Sequence, residues 1–352
     1  MLKAPLVFAA ALAGIMGAAA VFSSPADARD QIHIVGSSTV FPFATAVAEE
    51  FGNSSTFKTP VVESTGSGGG LKLFCRGLGV QHPDITNASR RIKTSEVNNC
   101  AKNGVSDITE VKIGFDGIVL AGSKAAAQMK LTLQQLWLAL ATDVPENGTD
   151  GGKLMKNPFR NWSDIDPALP DRAIEVMGPP PTSGTRDAFV ELAMEGGCKA
   201  FPEIKAMKKT DKTAYKSICH SIREDGAFIE AGENDNLIVQ KLIANPNAFG
   251  VFGFSFLDQN RDKVHASIIN GAEVSFDSIS DASYPVSRSM YFYVKNAHVG
   301  VIPGIKEFVD AFTDEESWGP YGYLADKGLI SLPDEERESM RSNALSFELL
   351  KM

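Results

Sequence analysis

Positive charge is scarce: 34 Lys and Arg stand against 43 Asp and Glu, a formal balance of −9. Such a chain lacks the basic stripe that nucleic acid requires, although a local pocket can still hold a small anion. Histidine is rarer still, with five residues at positions 33, 82, 220, 265 and 298, none of them clustered. There is no His-Glu-x-x-His pair, no Gly-x-Ser-x-Gly elbow and no Cys-x-x-Cys spacing. These absences argue against a zinc peptidase, a serine hydrolase of that type and a thiolate metal site, so neither catalysis, cofactor nor metal is expected. Internal repeats and low-complexity tracts are also missing, which sets aside solenoids and disordered linkers.

The one long apolar run, Leu6 to Val21, lies at the very start and is diluted by Gly14 and Gly17. Lys3 before it and Ala26-Asp27-Ala28 after it complete the pattern of a secretory signal peptide over 1–28, cleaved after Ala28. No cysteine stands directly after the cleavage point, so a free exported protein is expected rather than a lipid-anchored one. All four cysteines, Cys75, Cys100, Cys198 and Cys219, fall in the exported part, where oxidising conditions let disulfides persist. Of three connectivities, the local one, Cys75 with Cys100 and Cys198 with Cys219, is favoured because each bridge closes a short loop within one domain.

What remains is an ordinary globular composition, 43% hydrophobic and 22% charged over 352 residues, enough for two domains. Gln31–Val35 reads as a strand, Gly36-Ser37-Ser38-Thr39 as a turn and Phe41–Phe51 as a helix. The unit recurs with Pro60–Glu63, the turn Ser64–Gly70 and a helix from Leu71. It recurs again with Asp84–Thr86, Asn87-Ala88-Ser89-Arg90 and a helix over Thr94–Asn103. Val111–Leu120 is a further strand, interrupted by Asp116. The middle of the chain has its own set: a helix at Leu133–Ala141, a Gly-rich loop at Asn147–Gly152, strands at Ile174–Met177 and Phe249–Phe254, a helix from Thr182-Ser183-Gly184-Thr185-Arg186 to Met194, and another at Asn236–Ala244. Tyr284–Val294 is extended again and returns the chain to its first domain, completed by helices at Ile305–Phe312 and Glu335–Leu350. Alternation of this kind predicts an α/β fold with ligands outside the carboxyl ends of its strands. The expected division is 29–120 with 285–352 as one lobe and 121–284 as an inserted second lobe.

Four turns share one chemistry, Ser, Thr or Gly at a helix start: Ser37–Thr39, Ser64–Gly70, Ser89-Arg90 and Ser183–Arg186. Each alone reads as an ordinary N-cap. Together, at consistent strand ends, they offer backbone N–H groups, hydroxyls and positive helix termini to one anion. Arg90 and Arg186 lie inside such turns, and a guanidinium fork suits a tetrahedral oxyanion. Asp116 is a carboxylate amid apolar neighbours, a costly placement unless it pairs with an Arg or with a proton on the ligand.

These segments in order, Gly36-Ser37-Ser38-Thr39-Val40-Phe41-Pro42, Thr65-Gly66-Ser67-Gly68-Gly69-Gly70, Asn87-Ala88-Ser89-Arg90, Phe115-Asp116-Gly117 and Thr182-Ser183-Gly184-Thr185-Arg186, resemble the motifs of the PstS family of phosphate-binding proteins. Tyr284-Pro285-Val286-Ser287-Arg288 resembles the family's return crossing. The resemblance implies a two-lobe type II periplasmic-binding-protein fold that closes on one phosphate in the cleft between its lobes, without catalysis. It also implies delivery to the membrane permease of an ABC transporter; with the signal peptide, a periplasmic monomer is expected. By motif, Ser38, Thr39, the Val40 backbone and Ser67 serve the anion from one lobe, and Ser183, Gly184 and Thr185 from the other. Some family members have Ser-Asp where this chain has Ser89-Arg90, and an Arg found before the Ser-Gly-Thr turn is replaced by Pro179–Pro181. Arg90 and Arg186 are therefore expected to supply positive charge, and Asp116 to accept the phosphate proton. The competing readings are a receptor for a sulfate-like oxyanion, an exported phosphatase, or an interaction protein with the acidic segment Asp334–Glu338 as its surface.

Overall fold

The computed structural model describes Met1 and residues 29–148, 151–181, 183–232 and 235–352. The expected signal peptide after Met1, residues 149–150 of the Gly-rich loop and Thr182 of the Ser-Gly-Thr motif lie outside these residues. Among the described residues no helix is long and apolar enough to cross a membrane.

Among the described residues nine strands make the main sheet: β1 (His33–Gly36), β2 (Val61–Ser64), β3 (Ile85–Ala88), β4 (Ile108–Ser123), β5 (Val176–Gly178), β6 (Phe228–Glu230), β7 (Phe249–Gly253), β8 (Val264–Ala266) and β9 (Ser287–Lys295). Their order is β2-β1-β3-β9-β4-β7-β5-β6, with β8 also paired to β4. The β1/β2, β1/β3, β5/β6 and β5/β7 pairs are parallel, as strand-helix-strand alternation requires, whereas β9 runs antiparallel to both β3 and β4.

β4 organises the molecule. Its residues 108–117 pair with β9, then 118–122 with β7 and 121–123 with β8. One continuous 16-residue strand thus serves two half-sheets, and it extends past the expected Val111–Leu120 at both ends. The buried side chains divide with it. One apolar cluster gathers residues between Ile32 and Ile113 with Met290–Ala344, and a larger one gathers Phe115–Val286 with Ile330 and Leu332.

Helix Ile305–Phe312 shows how periodicity becomes packing: Ile305, Phe308, Val309 and Phe312 recur at helical spacing and all are buried. Each such side chain contributes about 2 kcal/mol of transfer free energy. The expected helix beginning at Leu71 starts earlier, at Ser67, and spans Ser67–Phe74. One of its glycines is required because the helix crosses β1 at close range: a Cβ on Gly70 would lie 2.4 Å from the Gly36 Cα. Gly36 is at φ +136° and abuts the Asn87 backbone, so no larger residue fits there. The last helix, Asp334–Leu345, stops short of the expected Leu350, and Leu349 forms a β-bridge with Thr109 instead. Disulfides join Cys75 to Cys100 and Cys198 to Cys219 over separations of 25 and 21 residues, the local pairing.

Candidate functional site

At the C-terminal end of β1 the chain turns through Ser38 and Thr39 into helix Phe41–Ser54, with Pro42 in its first turn. Facing this turn is the start of helix Gly184–Phe189. There Ser183 is the N-cap, and its Oγ accepts from the Thr185 N–H at 3.2 Å. The helix continues through a π turn, Val190–Met194, into Glu195–Cys198. The two turns touch: a Cβ on Gly184 would lie 3.1 Å from the Ser38 carbonyl oxygen and 3.3 Å from the Thr39 Cα. Glycine at 184 lets the half-sheets approach backbone to backbone.

A cavity of about 320 Å³ opens at this contact, with Ser38, Thr39, Asp116, Ser183, Gly184 and Thr185 in its wall. Six of the ten expected ligand residues are therefore together. Val40 turns its N–H toward the Ser37 Oγ at 3.4 Å. Ser67 and Ser89 are joined by their hydroxyls at 3.1 Å, and the Ser89 N–H donates to the Ser67 Oγ at 3.0 Å. These two serines and Arg90 line an adjoining cavity of about 730 Å³.

The two expected arginines are otherwise engaged. Arg90 forms a bidentate pair with Glu96, at 2.7 and 2.9 Å. Arg186 donates to the Pro179 carbonyl at 3.0 Å and lies over the Phe228 ring at 4.3 Å. It lines neither cavity, and burial lowers the pKa of its guanidinium.

A different guanidinium stands between the cavities. Arg288 on β9 is directly opposite Asp116 on β4, a cross-strand pair with Nε 3.4 Å from Oδ2. Its Nη2 donates to the Thr39 Oγ1, and its Nη1 to the Glu191 carboxylate at 2.7 Å. The Arg288 side chain is only 8% exposed yet lines the larger cavity. One arginine thus links the β1 turn, the middle of β4 and the π turn. Burial raises the Asp116 pKa, and Arg288 opposes that shift. The residue was visible in the sequence as the end of Tyr284-Pro285-Val286-Ser287-Arg288, but nothing local marked its side chain as central.

Asp235 is the second residue not anticipated. It opens helix Asp235–Ala244 and lines the smaller cavity with Asp116. Among the described residues no group of three His, Cys, Asp or Glu could hold a metal ion.

A family model for the PBP superfamily domain matches residues 23–316. The chain belongs to that superfamily. Within it the chain is a PstS-family protein, 26% identical over 313 residues to the phosphate-binding protein PstS of Staphylococcus saprophyticus, covering 87% of this chain and 82% of that one. It is also 31% identical over 265 residues to protein SphX of Synechococcus elongatus, covering 74% of this chain and 66% of that one. Among solved structures, a possible phosphate binding protein from Planctomyces limnophilus superposes with a TM-score of 0.71 at 26% identity, covering 90% of this chain and 98% of that one. PstS-family proteins are substrate-binding components of transporters rather than enzymes, which sets the phosphatase reading aside. The two-lobe fold expected from the motifs is the fold of this family.

Proposed function

We propose that this PstS-family chain is an exported receptor that binds inorganic phosphate with high affinity and hands it to the permease of an ABC importer. The observation that carries the reading is Arg288. Its guanidinium joins Thr39 and Asp116 on one side to Glu191 on the other, beside the Ser183–Thr185 turn. Phosphate displacing the Glu191 contact gains charge-assisted hydrogen bonds from that fork, from the Ser38, Thr39 and Thr185 hydroxyls and from N–H groups at the helix start. Ser67, Ser89 and Arg90 stand on the adjoining wall, with Arg90 as a reserve of positive charge beside Glu96.

The lobes are 29–120 with 285–352 and 121–284, joined through β4 and the segment before β9, and they close by bending there. Asp116 accepts the phosphate proton, so an oxyanion without one meets carboxylate repulsion. Sulfate is such an anion. The mature protein begins at Arg29 and acts as a monomer in the periplasm.

Isothermal calorimetry of the mature, ligand-stripped chain with phosphate and sulfate tests the reading. One-to-one phosphate binding without sulfate heat is expected, and Asp116→Asn should narrow the gap between the two anions. Equal binding of both anions by the unmodified protein would refute the proton-acceptor role, and binding of neither would refute the receptor role.

A further inference from the structure

Asp235 is a buried carboxylate in the cavity of an anion, only 7% exposed, and its hydrogen bond from the Gly253 N–H is long at 3.4 Å. Among the described residues no cation pairs with it. The elements packed against its helix are β4, β7 and β8. β4 places Asp116 in the same cavity, β7 brings no titratable side chain, and His265 of β8 lines a different cavity with Lys124 and Arg261. Lys327, exposed at the wall, is the remaining charged group of the cavity. Arg288 pairs with Asp116, so Asp235 is the carboxylate of this cavity left without a paired cation.

Two carboxylates in one cavity penalise any ligand that cannot bring each of them a proton. We propose that Asp235 is a second proton acceptor beside Asp116, so that the site takes phosphate as the dihydrogen monoanion, one O–H donated to each carboxylate. The inference rests on the phosphate reading above and goes beyond it by fixing the ionisation state of the cargo. The two unprotonated phosphate oxygens then face Arg288 and the hydroxyl and N–H donors of the Thr39 and Ser183–Thr185 turns. Burial pushes the Asp235 carboxyl up to about 6, which leaves it ionised and able to accept at neutral pH.

Binding should follow the dihydrogen form. Phosphate loses its second proton near neutrality, so above that point affinity should fall by about tenfold per pH unit, with uptake of about one proton per phosphate bound. Calorimetry of the mature chain with phosphate at pH 6.5, 7.5 and 8.5, in two buffers of different ionisation enthalpy, reads both quantities. Asp235→Asn should bind more weakly at pH 6.5, lose most of the decline at higher pH and take up almost no proton at pH 8.5. A wild-type affinity that is flat from pH 7.5 to 8.5 would overturn the inference without any variant, and so would unchanged proton uptake in Asp235→Asn. Absence of heat at every pH would sink the phosphate reading and this inference with it.

Discussion

Removing the Asp235 charge should stabilise the empty protein, and the gain should appear only at higher pH. Burial raises this carboxyl from an ordinary 3.8 to about 6, so the folded chain holds the proton more tightly than the unfolded chain does. Below pH 3.8 the group is protonated in both states and contributes nothing to the balance. As pH rises through the interval the unfolded chain ionises first, and above 6 the folded state carries the full penalty of a buried charge. A shift of roughly two units at 1.36 kcal/mol each is about 3 kcal/mol. Asparagine keeps an oxygen for the Gly253 N–H and removes the charge. Urea unfolding of phosphate-free wild type and Asp235→Asn at pH 4, 6 and 8 should therefore give nearly coincident midpoints at pH 4. The difference should grow with pH until the variant is more stable by about 3 kcal/mol at pH 8. A variant equally or less stable than wild type at pH 8 would refute the claim that this carboxylate is buried without compensation.

Arg288→Gln should weaken phosphate binding by at least about a hundredfold in calorimetry, because it removes the guanidinium that the anion shares with Asp116; truncating one partner of a buried, hydrogen-bonded charge pair costs about 2–5 kcal/mol of binding. A change of less than threefold would show that the charge is supplied elsewhere. Gly184→Ala places a methyl group against the Ser38 and Thr39 backbone, which cannot swing aside as a side chain could. Affinity should drop about tenfold, and small-angle scattering with saturating phosphate should show a less compact particle than wild type. Replacing Cys198 and Cys219 by Ser opens a loop spanning 21 residues and should cost about 3 kcal/mol in urea unfolding, with little change in phosphate affinity. A strong loss of affinity there would mean that the disulfide positions the Glu191 turn.

The sequence disclosed best whatever local periodicity decides. Helix Ile305–Phe312 was legible to the residue, since four apolar positions at helical spacing leave one face to bury. The Ser67 helix was hidden because Gly66-Ser67-Gly68-Gly69-Gly70 has poor helix propensity, and only the close approach of Gly70 to Gly36 in the folded chain explains a glycine at that position. The turns carrying Ser38, Thr39 and Ser183–Thr185 were readable as helix starts, and those came together. The arginines were not readable. Arg90 is claimed by Glu96 on the next helix, and Arg186 by a carbonyl and a ring. Arg288 gains its place from a β4–β9 register spanning 172 residues of sequence. Asp235 lay just ahead of the helix expected to begin at Asn236, like any acidic residue at a helix start, and its burial depends on strands that pack over it.

Asp116 and Arg288 sit on the two chain segments that connect the half-sheets, where β4 changes partners and β9 begins. If closure pivots there, the anion's principal charge contacts lie at the fulcrum and not at the tips of the jaws. Displacement grows with distance from a pivot. A shift of a fraction of an ångström, as Arg288 trades Glu191 for phosphate, becomes a much larger travel at the outer edges marked by β2 and β6. A permease touching only those outer edges would sense the load as a mechanical gain, with no need to reach the phosphate itself.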